Sequence, residues 1–179
     1  MSDASQRPDA TLVADYRSGD ESAAAELVRR HASALGRYLY ACGAPAAEIE
    51  DLVQEAFFRA FRALDGWRGE AGFRSWLFRI GGNLRKDLYR KDGRRVMVDI
   101  NDHDVPDSAD PAGEMRAAEM EHRLMHGLSR LPRLQREVFL MRAQQGMDYE
   151  EICAALGTTP GSARVHYHHA VKQLKELMQ

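Results

Sequence analysis

The chain has 179 residues, of which 44% are hydrophobic and 29% charged, a composition typical of a folded globular protein and not of a disordered one. No apolar run approaches the roughly 20 residues of a membrane span, and the first ten residues lack a signal-peptide core, so the sequence predicts a cytoplasmic protein without membrane insertion. The net charge of −2 excludes an overall basic chain, and the two cysteines, Cys42 and Cys153, are expected to be buried thiols, not a disulfide framework or a zinc pair.

Apolar residues at helical spacing dominate the N-terminal part of the chain. A short helix is predicted after Asp9, and a long one after Asp20 that stops near Gly43. The long helix presents one apolar side, made of Ala24, Leu27, His31, Leu35 and Leu39.

A third helix, predicted from Pro45 to about Leu64, has two different faces. Its apolar face consists of Ile49, Leu52, Val53, Ala56, Ala60 and Leu64. Its opposite face consists of Asp51, Gln54, Glu55, Phe58 and Arg62. Solvation explains the four polar residues, but an aromatic among them is typical of a protein-binding hot spot. The alternative is that Phe58 packs under a neighbouring loop.

A fourth helix, predicted from about Phe73 to Asp92, lies in a basic segment. Residues 68–95 contain nine Arg and Lys against three Asp and Glu. One stripe of the helix is apolar (Leu77, Ile80, Leu84, Leu88), and a second consists of Arg79, Asn83, Lys86 and Arg90. Basic side chains with one amide at this spacing can bind phosphates and read a base edge. Trp67, in the loop before the helix, either stacks on an unpaired base or packs in the core.

Residues 96–113 have no sustained period and include Pro106 and Pro111, which predicts a flexible linker. Its acidic character continues to residue 115, since residues 96–115 contain six acids and no Lys or Arg. The acids are Asp99, Asp102, Asp104, Asp107, Asp110 and Glu114. Fully extended, the linker spans at most roughly 60 Å, equal to about 18 base pairs of B-form DNA.

The C-terminal part begins with a helix from about Glu114 that Pro132 interrupts, followed by a second helix up to Gly146. A helix-turn-helix pattern comes next. Asp148 and Glu151 resemble a capping box, and Gly157 can end that helix. Thr158 or Thr159 can cap the last helix, with Pro160 in its first turn.

The second helix of this motif would lie in a DNA major groove. Its predicted core stripe is Ala163, Tyr167, Ala170, Leu174 and Leu177. The residues that could face DNA are Ser162, Arg164, Val165, His166, His169 and Lys172. An ordinary helical hairpin with a solvated polar face is the alternative. The histidines have no acidic or thiol partner nearby in sequence, so no metal site is predicted.

Two long segments resemble the extracytoplasmic-function sigma factors of bacterial RNA polymerase. EDLVQEAFFRAFRAL, followed by GWRGEAGFRSWLFRIGGNLRKDLYRK, resembles their conserved region two. LPRLQREVFLMRAQQGMDYEEICAALGTTPGSARVHYHHAVKQL resembles their region four. Two motifs in this order, joined by such a linker, are far more specific than either motif alone.

The resemblance implies a role for each predicted face. The third helix, through Asp51, Gln54, Glu55 and Phe58, matches the part that docks on the clamp coiled coil of the polymerase largest subunit. Trp67 matches an aromatic that lines a pocket for a flipped base of the minus-ten element. Asn83 and the basic residues after it match the helix that contacts the non-template strand; those basic residues are Lys86, Arg90 and Lys91. The polar residues of the last helix match the reader of the minus-thirty-five element, although His166 and His169 stand where the family usually carries Lys or Arg.

We therefore expect an all-α protein of two small helical domains, residues 1–95 and 114–179, joined by the flexible acidic linker. The expected function is promoter recognition and strand opening for transcription initiation, with core RNA polymerase, promoter DNA and an anti-sigma factor as partners. No P-loop, metalloprotease or nucleophile-elbow motif is present, so we expect no enzyme activity, small-molecule substrate or cofactor. The alternatives are an autonomous helix-turn-helix regulator with an N-terminal sensing domain and a helical scaffold without DNA contact.

Overall fold

The computed structural model describes residues 7–92 and 111–177, with the side chains of residues 7–90 and 118–177. The described residues form helices and connecting turns without a strand, which confirms the all-α prediction. None of the described helices is long and apolar enough to cross a membrane. The helices are α1 (Asp9–Arg17), α2 (Glu21–Ala41), α3 (Ile49–Ala63), α4 (Phe73–Asp92), α5 (Pro111–Arg130), α6 (Arg133–Phe139), α7 (Tyr149–Leu156) and α8 (Pro160–Leu177).

Helices α1 to α4 pack together as the N-terminal half. The apolar side predicted for α2 is buried at Leu27, His31, Leu35 and Leu39, although Ala23 faces the core more fully than Ala24. On α3 the pattern correctly places Leu52, Ala56 and Ala60 inside. It misses Phe57, which is only 5% exposed and stacks on Phe61 with ring centroids 6.0 Å apart.

Two glycines allow helices to approach closely. A Cβ on Gly81 of α4 would lie 2.9 Å from Leu35 Cδ1 of α2, and a Cβ on Gly127 of α5 would lie 2.9 Å from Leu174 Cδ2 of α8. Interiors are close-packed, so a methyl group at either position would push a buried leucine out of place. These glycines therefore fix where α4 crosses α2 and where α5 crosses α8.

Hydrogen bonds between charged side chains link α1 to α2. His31 Nε2 donates to Asp9 Oδ2 at 2.6 Å, and Arg30 donates to Asp9 Oδ1 at 2.9 Å. Glu26 accepts hydrogen bonds from Arg29 and Arg30 at 2.7 Å. These hydrogen bonds to the two guanidinium groups lower the pKa of Glu26 to about 2.

The low pKa of Glu26 predicts a contribution to stability that depends on pH. The contribution is complete above the ordinary glutamate pKa and is lost as pH falls from about 4.5 towards 2, where the carboxylate gains a proton. Glu26→Gln should therefore lower the melting temperature clearly at pH 7 and much less at pH 2.5. Thermal unfolding followed by circular dichroism measures this. Glu119→Gln, in an exposed pair with Arg123, is the matched control, and an equal loss at both pH values for Glu26→Gln would contradict the prediction.

Helices α5 to α8 form the C-terminal half, in which α6 and α7 pack against α8. A single π-helical turn, Leu140–Gln144, follows α6 and buries Leu140 and Met141. The predicted stripe of α8 is buried at Ala163, Ala170 and Leu174. Leu177 is 39% exposed, so its assignment to the core was wrong; it is the last residue of α8, where a helix end is open to solvent.

The cysteines are free, as the sequence predicts, but they differ in environment. Cys42 is buried, and burial raises the pKa of its thiol to about 12. Cys153 is only half-buried, so the expectation of a buried thiol holds for Cys42 and not fully for Cys153.

The predicted linker lies for the most part outside the described residues. Helix α5 begins at Pro111, three residues before the start predicted from the sequence, because a proline fits the first turn of a helix. The two halves are also in direct contact, since α4 packs against α7. No pattern in the sequence had indicated this contact.

Candidate protein and nucleic-acid interfaces

The polar face of α3 is open to solvent, as predicted. Asp51, Gln54 and Arg62 are exposed, and Glu55 is half-exposed. Phe58 is 54% exposed, so the alternative that it packs under a loop is wrong. The Arg62 guanidinium lies 5.4 Å from the centroid of the Phe58 ring, which keeps one face of the ring beside a cation. The result is an exposed aromatic at the centre of a charged surface.

An open groove of about 520 Å³ continues this surface towards α4. Asp51 and Glu55 line its α3 side, Asp87 and Arg90 line its α4 side, and buried Leu84 contributes to its floor. Arg90 was predicted to belong to the nucleic-acid stripe of α4. The structure places it in the groove beside the α3 face, where it pairs with Asp87.

The remaining α4 stripe is a separate surface. Arg79 and Asn83 are exposed one turn apart, and Lys86 is half-buried with its Nζ donating to Asn83 Oδ1 at 3.4 Å. Burial, together with the nearby Arg133 and Arg85 cations, lowers the pKa of Lys86. The side chain of Lys91 lies outside the described residues. An amide flanked by cations is an arrangement that can hold a phosphate and contact a base edge.

Trp67 packs against the core, one of the two alternatives that the sequence left open, but is not fully buried. The indole is half-buried: it stacks on Trp76 with ring centroids 6.1 Å apart and meets Phe73 edge-on at 6.5 Å. Arg17 donates to the Trp67 carbonyl oxygen at 2.7 Å, and its guanidinium lies 5.9 Å from the ring. Packing therefore holds the indole in place while part of it remains accessible at the start of α4.

The helix-turn-helix geometry is the one predicted. Asp148 accepts from the Glu151 backbone N–H at 2.8 Å, and the Glu151 carboxylate accepts from the Asp148 N–H at 2.9 Å, which completes the capping box. Gly157 ends α7 in the left-handed region with φ 67°. Thr159 Oγ1 accepts from the Ser162 N–H at 3.3 Å and caps the start of α8.

The predicted DNA-facing residues of α8 share one accessible side. Val165 is 55% exposed. The other members range from half-buried to exposed; they are Ser162, Arg164, His166, His169 and Lys172. His168, which the sequence analysis did not select, is also exposed and lies edge-on to His169. Among the described residues, no group of three or more His, Cys, Asp or Glu could hold a metal ion.

Sequence reasoning missed Tyr149, the first residue of α7. Its ring lies 4.9 Å from the Arg164 guanidinium and 5.2 Å from that of Arg142. Arg142 also donates to the Met147 carbonyl oxygen at 2.8 Å. The Tyr149 ring thus contacts two cations, and one of them, Arg164, is on α8, the helix predicted to bind DNA. An aromatic directly after the Asp148 N-cap was the signal that could have indicated it.

Comparisons with known proteins match both halves of the chain. Residues 27–95 match the family described as Sigma-70 region 2, and residues 121–174 match Sigma-70, region 4. The chain is 33% identical over 176 residues to the RNA polymerase sigma factor NccH of Alcaligenes xylosoxydans xylosoxydans, a match that covers 96% of this chain and 95% of NccH. It is 30% identical over 188 residues to the ECF RNA polymerase sigma-E factor of Escherichia coli strain K12, covering 97% and 96%.

Two solved structures are also similar to this chain. The chain resembles CnrH, solved in complex with the cytosolic domain of CnrY, with a TM-score of 0.74 and 33% identity over 98% of this chain and 97% of CnrH. It also shares the fold of the sigma factor RpoE from Bartonella quintana, solved with the anti-sigma factor NepR, with a TM-score of 0.70 and 21% identity over 86% and 94%.

Proposed function

Since this chain belongs to the extracytoplasmic-function sigma factors of the sigma-70 family, we propose specific roles for its exposed faces in transcription initiation. The α3 face binds the clamp coiled coil of core RNA polymerase. The α4 stripe and Trp67 bind the minus-ten element, and the exposed side of α8 binds the minus-thirty-five element.

The exposure of Phe58 is the observation that carries the polymerase assignment. An aromatic that is 54% exposed, with Asp51, Gln54, Glu55 and Arg62 around it, gains most of its available burial only when a partner covers it. The charged residues around it supply orientation, because carboxylates and a guanidinium can pair with opposite charges on the partner.

In the proposed mechanism, different surfaces of the protein bind different parts of the promoter. Side chains of α8 bind duplex DNA upstream, which positions the N-terminal half over the minus-ten element. Trapping one unstacked base against Trp67 offsets a few kcal/mol of lost stacking and so stabilises open DNA. Asn83 and Lys86 then hold the single strand. Core polymerase supplies the phosphoryl chemistry, so we assign this chain no catalytic residue and no cofactor.

We further propose a cytoplasmic location and control by an anti-sigma factor. CnrH and the Bartonella RpoE were each solved with a bound partner, the cytosolic domain of CnrY and the anti-sigma factor NepR. A partner that covers the α3 face or the groove beside it would block polymerase binding directly.

Reconstitution tests the proposed function. The purified chain should bind core RNA polymerase in a one-to-one ratio and direct transcription from members of a promoter library. An autonomous regulator would instead bind duplex DNA tightly without polymerase. Failure to bind core polymerase would overturn the proposal.

Tyr149 gives a prediction about upstream binding. Each cation–aromatic contact contributes about 0.5–1 kcal/mol at an exposed site, so Tyr149→Leu should weaken holoenzyme binding roughly 5- to 30-fold by releasing Arg164 and Arg142. Tyr149→Phe keeps the ring and should bind like the parent. The loss should disappear on a promoter whose minus-thirty-five element is scrambled. A loss that persists on that promoter would indicate a general defect in α7 and not a role in positioning Arg164.

A further inference from the structure

An arginine at the end of the first helix reaches the loop that carries Trp67. Arg17 is the last residue of α1, and its Nη2 donates to the carbonyl oxygens of Leu64 and Trp67, to the second at 2.7 Å. The Trp67 N–H also donates to the Leu64 carbonyl, at 3.0 Å, so Leu64 and Trp67 are the two ends of one turn. A single guanidinium therefore bridges both ends of the turn from which the indole projects.

Helix α1 is held in place independently of this loop. Leu12 and Val13 are buried, and α1 packs on α2. Asp9, at the start of α1, lies 2.6 Å from the ring nitrogen of His31 in α2. Because these contacts fix α1 against α2, Arg17 projects from a rigid support. Removal of its guanidinium should release the loop without releasing the helix.

The loop has few other means of fixing the indole. Three of the eight residues from 65 to 72 are glycines, which leave the backbone many accessible conformations. The Trp67 Nε1 atom is buried without a hydrogen-bond partner in the part of the chain that the structure describes. A buried indole N–H usually has such a partner. The orientation of Trp67 therefore depends on ring packing and on the backbone that Arg17 holds.

The chemistry of a guanidinium suits this position. Carbonyl groups at the end of a helical segment have no partner within the helix and attract cations. Leu64 begins the short 3-10 turn that follows α3, and Trp67 directly follows that turn. Arg17 pairs with no carboxylate among the described residues, so its Nη2 hydrogens are not shared with an acid. Its guanidinium also lies 5.9 Å from the centroid of the indole, beside the ring that it holds.

We propose that Arg17 is a positioning residue for Trp67, which keeps the indole in place before a base of the minus-ten element leaves the DNA stack. This inference rests on the proposed function, which assigns that base to Trp67. A ring held in advance favours binding, since ordering a mobile loop would reduce the free energy gained from stacking. Helix α1, to which the proposed function gives no contact with DNA or polymerase, thereby takes part in strand opening.

Opening of duplex promoter DNA by the holoenzyme tests this role. Arg17→Met keeps an unbranched side chain but removes every donor. If the indole then occupies its stacking position in about a tenth of the molecules, opening should fall roughly 10-fold. Arg17→Lys retains a donor for one carbonyl and should lose less. Arg37→Met, which removes an exposed arginine of α2 in the same half, is the matched control and should open DNA like the parent. Core polymerase binding should be unchanged in all three variants.

A double-mutant cycle separates positioning from a general loss of structure. In a Trp67→Ala background no ring remains to be positioned, so adding Arg17→Met should cause no further loss of opening. Two independent defects would instead multiply. A double variant that shows the product of the two single losses overturns the proposal.

The free protein gives a readout that does not depend on DNA. With 5-fluorotryptophan incorporated, the fluorine resonance of Trp67 is identified by its absence in Trp67→Phe. Arg17→Met should shift and broaden this resonance, because the ring then samples more than one position. Arg37→Met should leave it unchanged. An unchanged Trp67 resonance in Arg17→Met also overturns the positioning role.

Salt dependence tests the alternative that the exposed Arg17 side chain contacts a DNA phosphate directly. Loss of one phosphate contact lowers the slope of log affinity against log salt concentration by about one. Positioning predicts the same slope for Arg17→Met as for the parent holoenzyme. A slope lowered by about one would assign Arg17 to phosphate binding and overturn the proposal.

The outcomes also separate this inference from the proposed function. If Trp67→Ala impairs opening and Arg17→Met does not, the role of Arg17 is wrong and that of Trp67 stands. If Trp67→Ala opens the promoter like the parent, the assignment of Trp67 in the proposed function is wrong, whatever the fluorine resonance shows.

Discussion

Phe58→Ala should weaken binding to core RNA polymerase by about 30-fold or more, since an aromatic hot spot contributes at least about 2 kcal/mol to an interface. The ring is 54% exposed in the chain alone, so its removal costs little intramolecular packing. Titration of labelled core polymerase with the parent and the variant measures the loss. Glu55→Lys, on the same face, should also weaken binding because it reverses a charge beside the ring.

Phe57 provides an internal control for this prediction. It is adjacent in sequence and of the same residue type, but it is 5% exposed and packs inside the N-terminal half. Phe57→Ala should lower stability by about 3–5 kcal/mol, as truncation of a buried phenylalanine does. Phe58→Ala should leave the melting temperature nearly unchanged. If the two variants lost stability equally, and folded Phe58→Ala bound polymerase normally, the α3 assignment would be wrong.

Trp67→Ala should reduce promoter opening by roughly 5- to 150-fold on duplex DNA, corresponding to about 1–3 kcal/mol for one stacked base. The physical reason is that an alanine cannot replace the stacking that a base loses when it leaves the helix. On a template that is already mismatched across the minus-ten element, the bases are unpaired before the protein binds. The opening defect of Trp67→Ala should therefore be smaller on that template. Permanganate reactivity of unpaired thymines measures opening on both templates.

Trp67→Ala also removes the packing of the ring against Trp76 and Phe73. A second variant is therefore needed to separate the effect of packing from that of base stacking. Trp67→Phe keeps an aromatic ring in the cluster and should retain most of the opening activity. A defect of equal size on the duplex and mismatched templates would show that Trp67 only supports the start of α4. The same conclusion would follow if Trp67→Phe failed as badly as Trp67→Ala.

Local signals in the sequence predicted most of the helices. Apolar spacing located α2 and the faces of α3 and α4, and the Asp148, Glu151 and Gly157 positions fixed the ends of α7, because caps depend on neighbouring residues alone. Leu177 was misjudged because burial at the end of a helix depends on how far the neighbouring helices extend, which periodicity within one helix does not contain. Phe57 was left out of the apolar face, although it lies four residues after Val53 and three before Ala60 and so belongs there by helical spacing.

The exposed faces proposed as interfaces were predicted from the sequence about as well as the helices were. The exposed side of α3 follows from helical geometry, and the exposure of Phe58 agrees with it. Arg85 and Glu137 could not have been paired from sequence, since they are 52 positions apart and lie in segments rich in other charges. A count of basic residues in residues 68–95 treats Arg85 and Arg79 alike, yet one is buried between the halves and the other is exposed.

The stacked pair of Trp67 and Trp76 has a spectroscopic consequence. These are the two tryptophans of the whole chain, and their rings lie 6.1 Å apart at the start of α4. Intrinsic tryptophan emission therefore comes from one small region of the protein, with no background from the C-terminal half. A base that stacks on the accessible side of Trp67 should quench that emission, so an unlabelled chain carries its own optical probe for the arrival of single-stranded DNA.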